Sequence, residues 1–217
     1  MFRRSFSGII DQGQTAPFLA AMNESREHQD ERGIRARTAV WGSMTGQTNR
    51  VLVASDFNMM EDLERFVELA ANDARFASLR RAVRSNMVFD SATVEVSRLA
   101  YHSEGLISSE EATKPRKFMR TLSGQVRAGM HRQFVVAISQ ALDYQRDRGI
   151  DATTSVWSAV TGATSGVAID AEFDNLAELE KFDTLAAQDA GFAELRKATR
   201  ECMVFRTSAV ELRRNLL

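Results

Sequence analysis

Residues 40–46 read VWGSMTG and residues 156–162 read VWSAVTG, and each stretch holds one of the chain's two tryptophans, Trp41 and Trp157. Their spacing of 116 positions decides the architecture. Slid against itself by that distance, the sequence aligns 2–98 with 118–214 without a gap. About 40 of about 97 positions are identical, so the chain is an internal duplication. The matches extend well beyond the tryptophans. RGI recurs at Arg32 and Arg148, and LAANDARFASLRRAVR (69–84) recurs as LAAQDAGFAELRKATR (185–200). The segment between the copies is polar, rich in Ser and Glu, and carries one of the two prolines, which marks a linker. The organisation expected is a first repeat at 1–99, a linker at 100–117 and a second repeat at 118–217.

The secondary structure of one repeat is read outward from its tryptophan. Residues 34–46 read as a strand with β-branched and aromatic residues that closes at a glycine turn. RVLVASDF (50–57) follows, so the two runs form a hairpin around TGQTN. Upstream, Phe6, Gly8 and Ile10 share one strand parity. Pro17 suits the first turn of a helix. Phe18, Met22, Ser25 and Gln29 then fall on one helical face, and Gly33 caps it. Downstream, a long helix is expected from Met59 to about Arg84, with Leu63, Phe66, Ala70, Asp73, Phe76 and Leu79 on one side. MVFDSATVEV closes the repeat as a strand. The order is β-α-β-β-α-β, twice.

That order is the ferredoxin-like unit, an antiparallel sheet with two helices on one face. Its bare face needs a cover. A second copy supplies one, so the fold class expected is α+β, two tandem βαββαβ repeats forming a pseudo-dimeric α+β barrel. The sequence does not decide whether the barrel closes within one chain or in a homodimer. In this topology the first and last strands are neighbours. Arg4 with Glu95, and Arg120 with Glu211, are therefore expected as cross-strand ion pairs that fix register.

Composition narrows the function classes. Hydrophobic content of 44% and charged content of 26% are those of a globular protein. A net charge of -1 gives no general attraction to nucleic acid or to a membrane, and no basic stripe is interleaved with aromatics. The single cysteine, Cys202, forms no intrachain disulfide. No apolar run approaches the ~20 residues of a membrane span, and the N-terminus lacks a signal-peptide core, so a cytoplasmic protein is expected. No P-loop, dinucleotide fingerprint or zinc motif occurs.

The stretches VWGSMTGQTNRVLVASDF to NDARFASL, and VWSAVTGATSGVAIDAEF to QDAGFAEL, resemble the NIPSNAP-like branch of the dimeric α+β barrel superfamily. That superfamily also holds antibiotic-biosynthesis monooxygenases, EthD-like proteins and heme-degrading monooxygenases. The resemblance implies a small, largely apolar ligand between sheet and helices, and in some members oxidation of aromatic polyketides without metal or flavin. The Asn–Trp–His set of heme-degrading members does not map onto either repeat.

Candidate residues follow from the residue types. His28 and its counterpart Tyr144 exchange protons readily and are the candidates for catalysis; as structure, they read as side chains at the core rim with polar tips in water. Trp41, Trp157 and Arg37 are the candidates for ligand binding; the simplest alternative for each tryptophan is core packing. No metal site and no cofactor are expected. His102 is read as part of the linker and His131 as a helix start. Residues shared by the copies are read as mainly Gly, Ala, Phe and Leu, serving the fold. Polar positions differ: Asp11 against Arg127, Asp90 against Arg206, Asn86 against Cys202. The function expected is binding of a small hydrophobic or aromatic metabolite, with cofactor-independent monooxygenase or cyclase-like chemistry of secondary metabolism. The alternatives are a non-enzymatic NIPSNAP-like binding or assembly module and, more weakly, a heme protein. A cavity of ~300 Å3 would separate the first reading from the second.

Overall fold

The structure is a computed structural model that describes residues 1–103, 115–204 and 206–217. The linker expected at 100–117 thus falls mainly outside the described residues, and its first three residues instead finish a strand.

The order in each repeat is the expected one, with one exception. The first contains β1 (Phe2–Ile9), α1 (Thr15–Glu31), β2 (Arg37–Ser43), β3 (Arg50–Phe57), α2 (Met60–Asn72), α3 (Ala74–Ser85) and β4 (Thr93–His102). The second contains β5 (Phe118–Gln125), α4 (His131–Asp147), β6 (Thr153–Ala159), β7 (Gly166–Phe173), α5 (Leu176–Gln188), α6 (Ala190–Glu201) and β8 (Ala209–Asn215). The strands hydrogen-bond in the order β1-β3-β2-β8-β5-β7-β6-β4 and close as a barrel, so a single chain supplies the whole sheet.

The exception is the long helix, which is two helices in each repeat. Asp73 sits in the extended region at φ -93°, ψ 113°, and its side chain accepts from the Phe76 N–H. Asp189 does the same for Phe192. An aspartate that satisfies an orphan N–H starts a new helix. The interruption preserves the apolar face, which is why the spacing reads as one continuous helix.

The chain forms two compact units, Met1–Ser97 with Asn215–Leu217, and Arg98–Arg214. In the first, β3 pairs antiparallel with β1 and with β2, placing Trp41 opposite Leu52. Gly46, at φ +73°, makes the turn between β2 and β3, a backbone region that only glycine enters without strain. Leu216 joins this unit by donating its N–H to the Val40 carbonyl at 2.8 Å. Val53 through Phe57 are buried without a break, the signature of a strand covered on both faces. One face packs on α1 through Phe18, Ala21 and Met22. Phe57, Leu63, Phe66 and Phe76 form a second cluster under α2 and α3.

The second unit repeats this plan. β7 pairs with β5 and β6, and β8 pairs with β5. Here the register corrects an expectation. Glu211 stands opposite Thr121, and Arg120 opposite Leu212. Glu211 is ion-paired with Arg213 on its own strand. Arg120 turns to the other face, 4.8 Å from the centre of the Phe182 ring. Arg4 likewise stands 5.0 Å over Phe66 rather than against Glu95. One step of strand parity moves a side chain to the opposite face, and the pairs fail for that reason.

Candidate functional site: a duplicated cavity lined by arginine

Each unit holds a cavity between its sheet and its helices. In the second unit it measures about 160 Å3 and is lined by Arg120, Gln145, Thr154, Phe182, Phe192, Arg196 and Arg200 with aliphatic neighbours. In the first it measures about 50 Å3. Every residue lining the smaller cavity has its counterpart, 116 positions on, lining the larger one. The duplication therefore copied a cavity as well as a fold.

Five polar residues of the lining are the same in both. Arg4, Gln29, Thr38, Arg80 and Arg84 match Arg120, Gln145, Thr154, Arg196 and Arg200. Phe66 and Phe76 are also kept, as Phe182 and Phe192, but the rest changes: Ser25 and Ser55 become Ala141 and Ala171, and Val83 becomes Thr199. Phe6 becomes Leu122 and Met22 becomes Ile138. A benzyl group is replaced by a shorter isobutyl group and a long flexible chain by a compact one, and room opens in the second copy.

Three elements carry the arginines. β1 and β5 present Arg4 and Arg120 at the strand parity of Phe6 and Leu122, facing the helices. α3 and α6 present the other two at positions i and i+4, one turn apart. Arg80 donates from Nη1 to the Ala70 carbonyl at 3.3 Å, and Arg196 to the Ala186 carbonyl at 2.7 Å. These bonds tie each α2–α3 and α5–α6 corner. Arg4 and Arg120, both half-buried, have neither a hydrogen-bond acceptor nor a carboxylate partner among the described residues. Burial pushes the Arg4 guanidinium down to about 10, and repulsion from Arg80 and Arg84 adds to the effect. Arg120 moves in the same direction, first through burial; nearby Asp183 opposes the shift and Arg196 reinforces it.

The residues expected from the sequence lie elsewhere. His28 is 2% exposed, so its tip is not in water as the rim reading had it. Its Nε2 lies 3.2 Å from Asp73 Oδ1 and its Nδ1 3.3 Å from Glu31 Oε2. Tyr144 donates to Asp189 Oδ1 at 2.8 Å. His28 stacks on Phe76 and Tyr144 on Phe192, at 6.1 and 6.2 Å between ring centres. Arg32 and Arg148 complete the two clusters, each 2.7 Å from the other aspartate oxygen. A histidine in one copy and a tyrosine in the other thus do one job, clasping the first helix of the repeat to the cap of the third. Neither lines the cavity of its unit.

Arg37 and Trp41 share the parity opposite to Thr38, which lines the cavity, and so lie on the other face of the sheet. There Arg3 and Asp56 form a buried two-pronged ion pair at 2.6 and 2.9 Å, and Arg37 reaches the same carboxylate at 3.4 Å. Trp41 is 1% exposed and Trp157 2%, both packed away from the cavities. His102 ends β4, and His131 Nε2 sits 2.9 Å from Ser158 Oγ. Cys202 is buried, and burial pushes its thiol up. Among the described residues no group of three or more His, Cys, Asp or Glu side chains is placed to hold a metal ion. No helix among them is long and apolar enough to cross a membrane.

The arginines are what reading the sequence missed. Their signal was present: Arg4, Arg80 and Arg84 recur unchanged, beside the shared Gly, Ala, Phe and Leu that read as serving the fold. Of the charged positions kept in both copies, Arg4, Arg80 and Arg84 line the cavity and Arg32 and Asp73 join the helix clasp, while Glu64, Glu95 and Arg98 do neither.

Comparison with known proteins defines the class by fold. No family model and no curated protein matches the sequence. Solved structures do match in shape. An inferred monooxygenase from Fusobacterium nucleatum aligns over 100% of this chain and 92% of its own, with TM-score 0.70 and 7% identity. One from Lactobacillus acidophilus aligns over 99% and 93%, with TM-score 0.67 and 10% identity. An anthrone oxidase-like protein aligns over 100% and 91%, with TM-score 0.66 and 10% identity. The chain has the dimeric α+β barrel fold of monooxygenase-like proteins, with both halves in one polypeptide.

Proposed function

We propose that the chain binds a small aromatic or other apolar molecule in the second unit's cavity and acts on it as a monooxygenase-like enzyme. The cavity itself carries this reading: apolar and aromatic walls with a few convergent polar groups are the usual form of a small-molecule site. The likeness to inferred monooxygenases supports the reaction class through fold alone. Size sharpens the ligand. About 160 Å3 falls short of the ~300 Å3 of drug-sized sites but matches the ~150 Å3 that accommodates benzene. A single ring or a short chain fits inside, and a fused polyketide does not.

The test is a binding screen of one-ring and multi-ring aromatics against the whole chain, with dioxygen uptake followed for each binder. The expected result is saturable binding of one-ring compounds and oxygen consumption with at least one of them. No binding across the panel removes the proposal. Binding without turnover favours the second reading, a non-enzymatic NIPSNAP-like binding or assembly module. The shortfall from ~300 Å3 is the observation on that side. A heme protein is the weakest reading, because none of the three histidines lines either cavity. A Soret band in the purified protein would revive it.

A further inference from the structure

The cavity has a charge that an apolar ligand does not explain. Arg120, Arg196 and Arg200 converge on it, and no carboxylate lines it among the described residues. Asp183, whose attraction reaches Arg120 and Arg196, is outside the lining and exposed. Holding like charges together in a half-buried space opposes folding unless something compensates. Arg196 uses one N–H on the Ala186 carbonyl, and its remaining donors have no protein acceptor among the described residues. Arg120 stands over the Phe182 ring and has no hydrogen-bond acceptor among the described residues. The guanidinium fork matches a planar carboxylate in a way a point charge does not. The trio is kept in both copies, with Gln145, Thr154, Phe182 and Phe192, while the aliphatic walls around it change.

We propose that Arg120, Arg196 and Arg200 clamp the carboxylate of a one-ring aryl acid or short-chain acid, its apolar body seated against Phe182, Phe192, Ile138 and Leu142. The proposal rests on the reading of this cavity as a ligand site. Arg120 grips from the floor, Arg196 from the wall, and exposed Arg200 from the mouth. Gln145, buried in the same lining, offers an amide beside them. The clamp selects acids over their neutral analogues, because a neutral head group leaves the guanidiniums uncompensated.

Calorimetric titration of the whole chain at low salt tests this with benzoate, benzamide, phenyl phosphate and toluene. Benzoate is expected to bind at least tenfold tighter than benzamide. Arg120→Gln and Arg200→Gln should each weaken benzoate at least tenfold and leave benzamide within twofold. Arg146→Gln, on the exposed side of α4, should change neither. Arg200 is exposed, so its variant keeps the test decisive if Arg120→Gln fails to fold. Equal affinity for benzoate and benzamide overturns the clamp, as does loss of both ligands together in the variants. Phenyl phosphate binding tenfold tighter than benzoate overturns the carboxylate assignment. If neither acid nor amide binds, the clamp falls. Toluene then decides the wider reading: its binding keeps an apolar site, and its failure removes that site too.

Discussion

Replacing Trp157 by phenylalanine separates packing from ligand contact. The indole is 2% exposed and lies on the sheet face turned away from the cavity. The substitution removes about 40 Å3 of side chain, which at about 24 cal/mol per Å3 costs ~1 kcal/mol as residual cavity. The lost apolar burial, roughly 40 Å2 at 25 cal/mol per Å2, contributes ~1 kcal/mol more. A total near 2 kcal/mol lowers Tm by about 4–8 °C in a chain of this length. Thermal unfolding followed by circular dichroism measures the drop. Titration of the same variant with benzoate should give an affinity within twofold of the parent. The reasoning fails if Tm holds while affinity falls, since the ring would then face the ligand. Trp41→Phe should behave alike, because Trp41 occupies the equivalent place at 1% exposure.

Other outcomes follow from paired differences between the copies. Leu122→Phe restores the first unit's benzyl group and should shrink the second cavity toward 50 Å3, abolishing calorimetric binding while leaving Tm equal or higher. Gly191→Ala should lower Tm, because an added methyl meets Tyr144 Oη at 2.6 Å. The same change in a Tyr144→His background should not, since the first copy pairs His28 with a full side chain at Arg75. Asp73 and Asp189 are held below the usual carboxylate range, first by the Phe76 and Phe192 N–H groups; burial opposes this, ahead of the help from His28 at Asp73 and behind that from Tyr144 at Asp189. A depressed folded value means stability that is present above the ordinary carboxylate pKa of about 3.9 and lost as pH falls through the lower value. Tm should therefore be level from neutral pH to about 5 and fall below about 4. Asp189→Asn should flatten that fall.

The duplication made the fold legible. Two copies of one pattern gave the strand and helix order, and the bare sheet face called for a barrel. The helix break escaped because Asp73 interrupts the backbone without disturbing the apolar face. Even so, D-x-x-F is a cap followed by a core aromatic, and both copies carry it. Arg4 was legible in half: its parity with Phe6 and Gly8 puts a charge on the helix-facing side of β1. The expectation of an ion pair with Glu95 hid that. His28 and Tyr144 misled because residue type suggested proton transfer, whereas position made them interchangeable clasps. Cavity volume was not legible at all. It is a small difference between large packed volumes, and no single residue states it.

The unequal cavities turn the molecule into its own counting device. A bare inorganic anion needs charge and little space, and both arginine clusters offer that charge. A ligand with a ring needs the volume that only one copy has. Saturation at two equivalents for the first kind and at one for the second would divide the affinity into a part due to charge and a part due to shape, within a single polypeptide.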